Sequence, residues 1–383
     1  MENKYNFDEI RPFYDSELQT AFEQLTSDAE FMAIIKKRFP NLSTDEFVQQ
    51  LKYIHTKLEV QKQFFFPLLR YLETKTSKGI TFSGIESLEK GKAYLFISNH
   101  RDIILDSAFL NYILVGNGFD TTEIAIGDNL LIKDWIRTLV RINKSFIIQR
   151  NAPIRQMMQI LARQSAYIHH TIVERGQSIW LAQREGRAKD SNDQTQESLL
   201  KMLTLGQDGT FANNIAQLHI CPLTISYEYD ACDYLKAKEF QQKRDNADFK
   251  KTQMDDFINM KQGLEGYKGH IHFHFCGAID NEVVSLNGSR NEQITETAKI
   301  IDKKIHANYR IFKNNMIAYD MLLNTNKYAQ LYTEEEKNAF ESYLQKRIEL
   351  IDLEQKDIAF LKQKLLEMYA NILINKEKCE QLQ

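Results

Sequence analysis

Apolar positions recur along the chain at two different periods. Leu18, Phe22 and Leu25 fall at i, i+4 and i+7, the spacing of one helix face. Ser43-Thr44-Asp45-Glu46 has the form of a capping box, in which the first and last side chains satisfy free amides at a helix start. That box predicts a long helix through Phe47, Leu51, Ile54 and Leu58 to about Leu72, with Pro67 as a kink or boundary. From about residue 90 short apolar runs alternate with helical stretches. The runs Ala93–Ser98, Glu123–Gly127, Phe146–Gln149, Ser178–Gln183, His219–Tyr229 and His270–Cys276 predict strands. Between the first of these lie helical patterns over about 102–115, 129–143 and 153–175, the last opened by Pro153. Beyond about 290 the pattern returns to helix. Thr333-Glu334-Glu335-Glu336 repeats the capping form, and Phe340, Leu344, Ile348 and Ile351 keep a helical stripe that leads into charged helix to about Lys378.

Strands alternating with helices imply crossover units. The expected fold is α/β: a mostly parallel sheet with flanking helices, plus helical N-terminal and C-terminal segments. The expected divisions are 1–80, 81–290 and 291–383. The chain has 383 residues with only Gly 15 and Pro 5, which suits long elements and few tight turns. Apolar residues at 43% and charged residues at 26% exclude a disordered chain. Lys+Arg 49 against Asp+Glu 52 leaves −3, so no nucleic-acid partner is expected. No apolar run is long enough to predict a membrane-spanning helix. The start, Met1 to Asp8, lacks the apolar stretch of a signal peptide. Cys221, Cys232, Cys276 and Cys379 form no Cys-x-x-Cys pair, and reduced thiols in a cytoplasmic protein are the simplest expectation.

The most informative stretch is Ser98-Asn99-His100-Arg101-Asp102-Ile103-Ile104-Leu105-Asp106, where a buried strand gives way to a helix. Catalytic groups in open α/β sheets collect at such strand ends. A His there with a carboxylate nearby makes a base and its orienter. The His-Arg-Asp triplet is not a kinase catalytic loop, because position 107 is Ser where that loop needs Asn, and no glycine-rich loop or Asp-Phe-Gly accompanies it. Three further strands have notable residues: Lys144 to Arg150, Ile179 to Arg187 (ending Arg184-Glu185-Gly186-Arg187), and Ile220 to Glu228 with Pro222 near its start. Together they place a His, carboxylates and several Arg at one end of a sheet, which suits an anionic substrate beside a general base.

In this order the four stretches resemble the glycerol-3-phosphate and 1-acylglycerol-3-phosphate acyltransferases of phospholipid synthesis. That family carries His-x-x-x-x-Asp, Phe-Ile-x-Arg, Glu-Gly-x-Arg and a Pro-containing strand. Here the blocks span about 95–228, and the strand near 269–277 extends the likeness. Two departures stand out. Five residues separate His100 from Asp106 and one separates it from Asp102. Asp106 is the first candidate for the orienter with Asp102 as helix cap, and the reverse stays open. Glu185-Gly186-Arg187 lacks the family's spacer, so Arg184 or Lys189 could share the work of Arg187.

The resemblance implies direct acyl transfer. His100 would take the proton of an acceptor hydroxyl as it attacks an acyl thioester, supplied by acyl-CoA or acyl carrier protein. Arg150 and Arg187 would hold the phosphate of a glycerol-phosphate or lysophospholipid acceptor. Glu185 and Gly186 would shape the binding turn. Neither cofactor nor metal is implied. A thioester or ester hydrolase, or a non-catalytic lipid- or carrier-binding scaffold, are the alternatives.

Other features carry weaker expectations. Lys133, Arg137, Arg141 and Lys144 form a basic stripe, either a solvated face or a surface for lipid headgroups or an acidic carrier, with Arg141 and Lys144 the binding candidates. Such a surface would make the protein peripheral on the inner face of the membrane. Phe64-Phe65-Phe66 reads as core more readily than as a bilayer contact. Asp128 reads as a helix cap. His270, His272 and His274 alternate, and a solvent-facing strand side explains them better than metal.

Overall fold

The computed structural model describes residues 5–38, 41–150 and 153–381. The opening residues 1–4, part of the stretch read for a signal peptide, lie outside them. Among the described residues seven strands make one sheet: β1 (Ile80–Ser83), β2 (Leu95–Ser98), β3 (Glu123–Gly127), β4 (Ser145–Ile148), β5 (Ile179–Ala182), β6 (Ile220–Tyr227) and β7 (Ile271–Phe275). Their spatial order is β1-β7-β6-β2-β5-β3-β4. All neighbouring pairs are parallel except β6 and β7. Strands β2 to β6 therefore run one way and leave the sheet at one end, while β1 and β7 run the other way. The fold is α/β with a mostly parallel sheet, as the alternation of periods predicts.

Alternation along each strand divides the core between the two faces of the sheet. Leu95, Ile97, Ile179 and Leu181 join one cluster, closed by Ile168 from the helix Ile154–His169 and Ile301 from Arg290–Ala307. Phe96, Trp180, Leu223, Ile225 and Phe273 join the other, closed by Leu72 from Phe66–Thr76 and Phe109 from Leu105–Gly116. A third cluster is built from C-terminal helices, with Leu344 and Tyr369 among its members. A fourth holds N-terminal helices and takes Ile142 from the helix Asp134–Ile142. Phe64 and Phe65 pack on this fourth cluster and Phe66 on the second, so the Phe run is core-facing. Among the described residues no helix is long and apolar enough to cross a membrane.

Three local expectations are corrected. The long helix from Phe47 to Leu72 is broken after Lys52, because a second capping box at Thr56 and Glu59 starts a new helix. Pro67 opens the helix Phe66–Thr76, just after a widened turn at Gln61–Phe65. Strand β1 was not expected, since four residues at a sheet edge carry too short a pattern.

The third concerns the alternating histidines. His272 is 9% exposed and does not face solvent. Its ring lies between Thr81 Oγ1 (2.8 Å) and Ser83 Oγ (3.0 Å) of the neighbouring strand, and Ser83 Oγ also meets His274 Nδ1 at 2.8 Å. Burial, then Arg310 and His274, push the His272 imidazole down to about 4. Between pH 6.5 and 4 the unfolded chain binds this proton and the folded chain does not, so stability is lost as pH falls through that window. Partial screening by solvent brings the expected contribution to about 2 kcal/mol. Unfolding midpoints measured across this range should fall less for His272→Gln than for the parent. Parallel curves would remove His272 as the cause.

Candidate active site

His100 follows β2 by two residues, at the end of the sheet where β2 to β6 exit. Asn99 carries the sheet contact one residue beyond the strand. Its side-chain amide donates to Ile225 O and its side-chain oxygen accepts from Ile225 N, both at 2.8 Å. The chain then turns through Arg101–Ile104 before the helix Leu105–Gly116 begins. The extra residue between His100 and Asp106 is absorbed in this turn, outside the regular helix, so the 100° per residue rule does not apply to it. Asp106 thereby reaches back: its Oδ2 lies 2.8 Å from His100 Nδ1 and accepts from the backbone N–H of Arg101 (2.6 Å) and Asp102 (3.0 Å).

That bonding assigns the imidazole tautomer. Oδ2 already accepts two backbone protons, so it acts as a carboxylate oxygen, and Nδ1 must be the donor. Nε2 is left with its lone pair and has no hydrogen-bond partner among the described residues. Trp180 stands edge-to-face with the ring at 5.5 Å and donates its own N–H to Ser98 Oγ at 3.0 Å. Asp102 does different work. Its Oδ1 accepts from the N–H of Ile104 (2.9 Å) and Leu105 (2.8 Å), which caps the following helix. Burial, and next the charge of Asp106, raise the Asp102 carboxyl above its ordinary range, against the pull of those two N–H groups and of Arg187.

The other strand exits bring up cations. Arg150, two residues past β4, pairs with Glu185 at 3.2 Å and takes a backbone contact to Asp128 Oδ2 at 3.2 Å. Its guanidinium lies over Gly127, where an added Cβ would stand 3.2 Å from Cζ. Gly186 has φ +67, a conformation that a side chain disfavours. Arg187 donates to Asn259 Oδ1 at 2.8 Å, and its Nη1 is buried with no partner among the described residues. Burial opposes its charge, but Cys232, Asp230 and Asp102 outweigh burial and raise its pKa. Arg184 is half-buried and makes no side-chain ion pair among the described residues. Lys189 is engaged elsewhere, with Glu239 at 2.8 Å.

Two sequence candidates do not join the group. Lys144 precedes β4 and so lies at the opposite end of the strand from Arg150. It is buried, with Asp120 at 3.1 Å. Arg141 donates to the backbone of Arg11 (2.9 Å) and Asp8 (2.7 Å) in the N-terminal segment. The helix carrying the basic stripe leads into the start of a strand, and ligand-binding residues gather past strand ends. Pro222 sits within β6, in register with Ile97 of β2.

Several residues around the site had no signal in the sequence. The helix Gln253–Glu265, between β6 and β7, supplies Asn259 to Arg187. It also lies so close to the first motif that a Cβ on Gly263 would stand 2.1 Å from Asp102 Oδ2. Lys268, fully buried, donates to Gly266 O at 2.6 Å. Burial above all brings its ammonium down to about 8, against the pull of Asp102, Cys232 and Asp230. Tyr227 OH and Asp106 Oδ1 are both buried, and burial, then the charge of Asp106, raise the Tyr227 hydroxyl well above its ordinary range.

No curated protein matches the chain. Among solved structures, the 1-acyl-sn-glycerophosphate (LPA) acyltransferase PlsC from Thermotoga maritima aligns with 77% of this chain and 98% of its own, at 10% identity and a TM-score of 0.35. So distant a likeness says nothing about substrate. The acyltransferase family model matches residues 79–226, which contain β1 to β5, β6 but for its last residue, the His100 turn, Arg150, the Arg184–Arg187 turn and Pro222. The region that carries all four motifs, residues 79–226, is the part of the chain that is similar to the acyltransferase family.

Proposed function

We propose that the chain moves a fatty acyl group from an acyl thioester, on coenzyme A or a carrier protein, to a hydroxyl of a glycerol-phosphate-type acceptor. The acceptor is lysophosphatidate or glycerol 3-phosphate, in phospholipid synthesis on the cytoplasmic side of a membrane. The observation that carries this reading is the His100 imidazole, held as the Nδ1–H tautomer by Asp106 with Nε2 unpartnered, at the sheet end where Arg150 and Arg184 emerge.

Nε2 takes the proton from the acceptor hydroxyl as its oxygen attacks the thioester carbonyl. Asp106 stays ionised and stabilises the imidazolium. The tetrahedral intermediate collapses, the C–S bond breaks, and the imidazolium returns its proton to the departing thiolate. An ester and a free thiol result, and no acyl-enzyme is needed because the thioester is already activated. Arg150 and Arg184 face the acceptor phosphate, with Glu185 holding Arg150 until it arrives. Arg187, bound to Asn259, supplies fixed positive charge beside Asp102.

Thiol release from long-chain acyl-CoA and acyl carrier protein, with glycerol 3-phosphate, lysophosphatidate or a phosphate-free acceptor, tests the reading. Release should require a phosphorylated acceptor. Arg150→Gln should raise KM for that acceptor about 10- to 100-fold with a smaller change in kcat, the worth of one charged phosphate contact. Equal release without any acceptor would identify a hydrolase. No turnover with either donor would leave the binding scaffold.

A further inference from the structure

We infer that the helix Gln253–Glu265 docks the protein on an anionic lipid bilayer, with its outward apolar face in the interface and its inward face on the candidate active site. This deepens the proposed function and rests on it for the membrane-borne acceptor, though the surface itself is read from the helix.

The helix is inverted relative to an ordinary surface helix. At 100° per residue, Asn259 and Gly263 lie on the side opposite Met254, Phe257, Ile258 and Lys261. The polar and small pair is the buried one, against Arg187 and Asp102. The large apolar residues face solvent: Met254 is 63% exposed, Phe257 52% and Ile258 43%. A soluble helix buries such a stripe. An amphipathic helix in a bilayer interface presents it outward with cations beside it.

The charges fit an anionic surface. Lys250 and Lys261 are exposed and have no ion-pair partner among the described residues. Two of the acids on the helix lie off the outward face: Asp255 keeps its charge but sits to the side, closing the capping box with Thr252, and Asp256 pairs with Lys251. Glu265 is the remaining acid on the outward side. The surface is continuous with the site. The helix packs beside the Asp128–Leu130 turn, and the same loop leads to Ile132, 40% exposed. Arg150 lies over Gly127 just ahead of that turn. A bilayer held here would keep its headgroups near the exits of β3 and β5.

The test is flotation of the full chain with phosphatidylglycerol–phosphatidylcholine vesicles. The parent should bind, with binding weakened by salt. A Met254→Ser, Phe257→Ser, Ile258→Ser triple variant should bind about 10- to 100-fold more weakly, and Lys261→Glu should weaken binding to anionic vesicles. Because these side chains make no core contact, the thermal midpoint and turnover of a monomeric short-chain lysophosphatidate should match the parent. A parent that ignores vesicles, or a triple variant that binds as well, would overturn the inference. So would loss of self-association or of carrier-protein binding in the triple variant with vesicle binding intact. Loss of turnover with the monomeric acceptor in both proteins would refute the proposed function, while flotation still decides the surface.

Discussion

His100→Ala is expected to lower kcat for acyl transfer by about 1,000-fold or more, with folding intact. The imidazole is the group placed to take the hydroxyl proton, and general-base catalysis of this kind is worth about 100- to 10,000-fold. Asp106→Asn should come close to the same loss, for a reason visible in its contacts. One carboxylate oxygen, Oδ2, holds His100 Nδ1–H and two backbone N–H groups together. An amide can keep those donors only with its oxygen in the same place, and it then has no charge to stabilise the imidazolium. A comparable carboxylate-to-amide change in a Ser-His-Asp triad costs about 10,000-fold. Asp102→Asn should behave differently, because its carboxylate caps a helix. It should cost about 1 kcal/mol of stability and little turnover. Steady-state rates and urea midpoints for the three variants decide the assignment. If Asp102→Asn were the inactive one and Asp106→Asn active, the roles would be reversed.

The largest effect on stability is expected at Arg101→Leu, inside the same motif. Arg101 points away from the reacting group and is buried with Asp193, with nitrogen to oxygen distances of 3.2 and 2.5 Å. Tyr309 donates to the same carboxylate at 2.6 Å, and His306 Nε2 is 2.7 Å from Asp193 O. Removing the guanidinium leaves the Asp193 charge inside the protein with a tyrosine hydroxyl as its remaining side-chain donor. Breaking a buried pair from one side costs about 3–5 kcal/mol, whereas replacing both partners with apolar residues is often close to neutral. Urea unfolding should therefore show a large loss for Arg101→Leu and recovery of at least about half in Arg101→Leu/Asp193→Leu. A single variant with the parental midpoint would show that the pair carries no net stability. This cluster ties the His100 turn to the helix Arg290–Ala307 and its exit, far along the chain.

Much of the fold was legible in the sequence. Strands β2 to β7 are short apolar runs bounded by polar residues, and a sheet with both faces covered requires such runs. The capping boxes at Ser43 and Thr333 start helices at the next residue, because that chemistry is local. The motif order placed His100, Arg150 and Arg184 to Arg187 past strand ends, since parallel strands release their chains on one side. The acyltransferase match covers 79–226, the stretch in which those motifs lie.

Local pattern could not supply what depends on distant neighbours. Which Asp meets His100 was open because the answer lies in a turn, where side-chain direction follows no helical period. Lys144 and Arg141 looked close to the second motif in sequence, but a strand runs from its beginning to its exit, and Lys144 stands at the wrong end. His272 alternates like a solvent-facing residue, yet β1 and Arg310 cover it from 191 positions and more than 30 positions away respectively. Asn259 and Gly263 carry no motif. Only the folding of the helix Gln253–Glu265 back over the sheet end sets them against Arg187 and Asp102. The sequence by itself determined the elements, their period and the chemical types at the strand exits, because those follow from local sterics and hydrophobic pattern. The tertiary structure decided the hydrogen-bond partners, the tautomer and the buried charges, because those depend on side chains brought together across the fold.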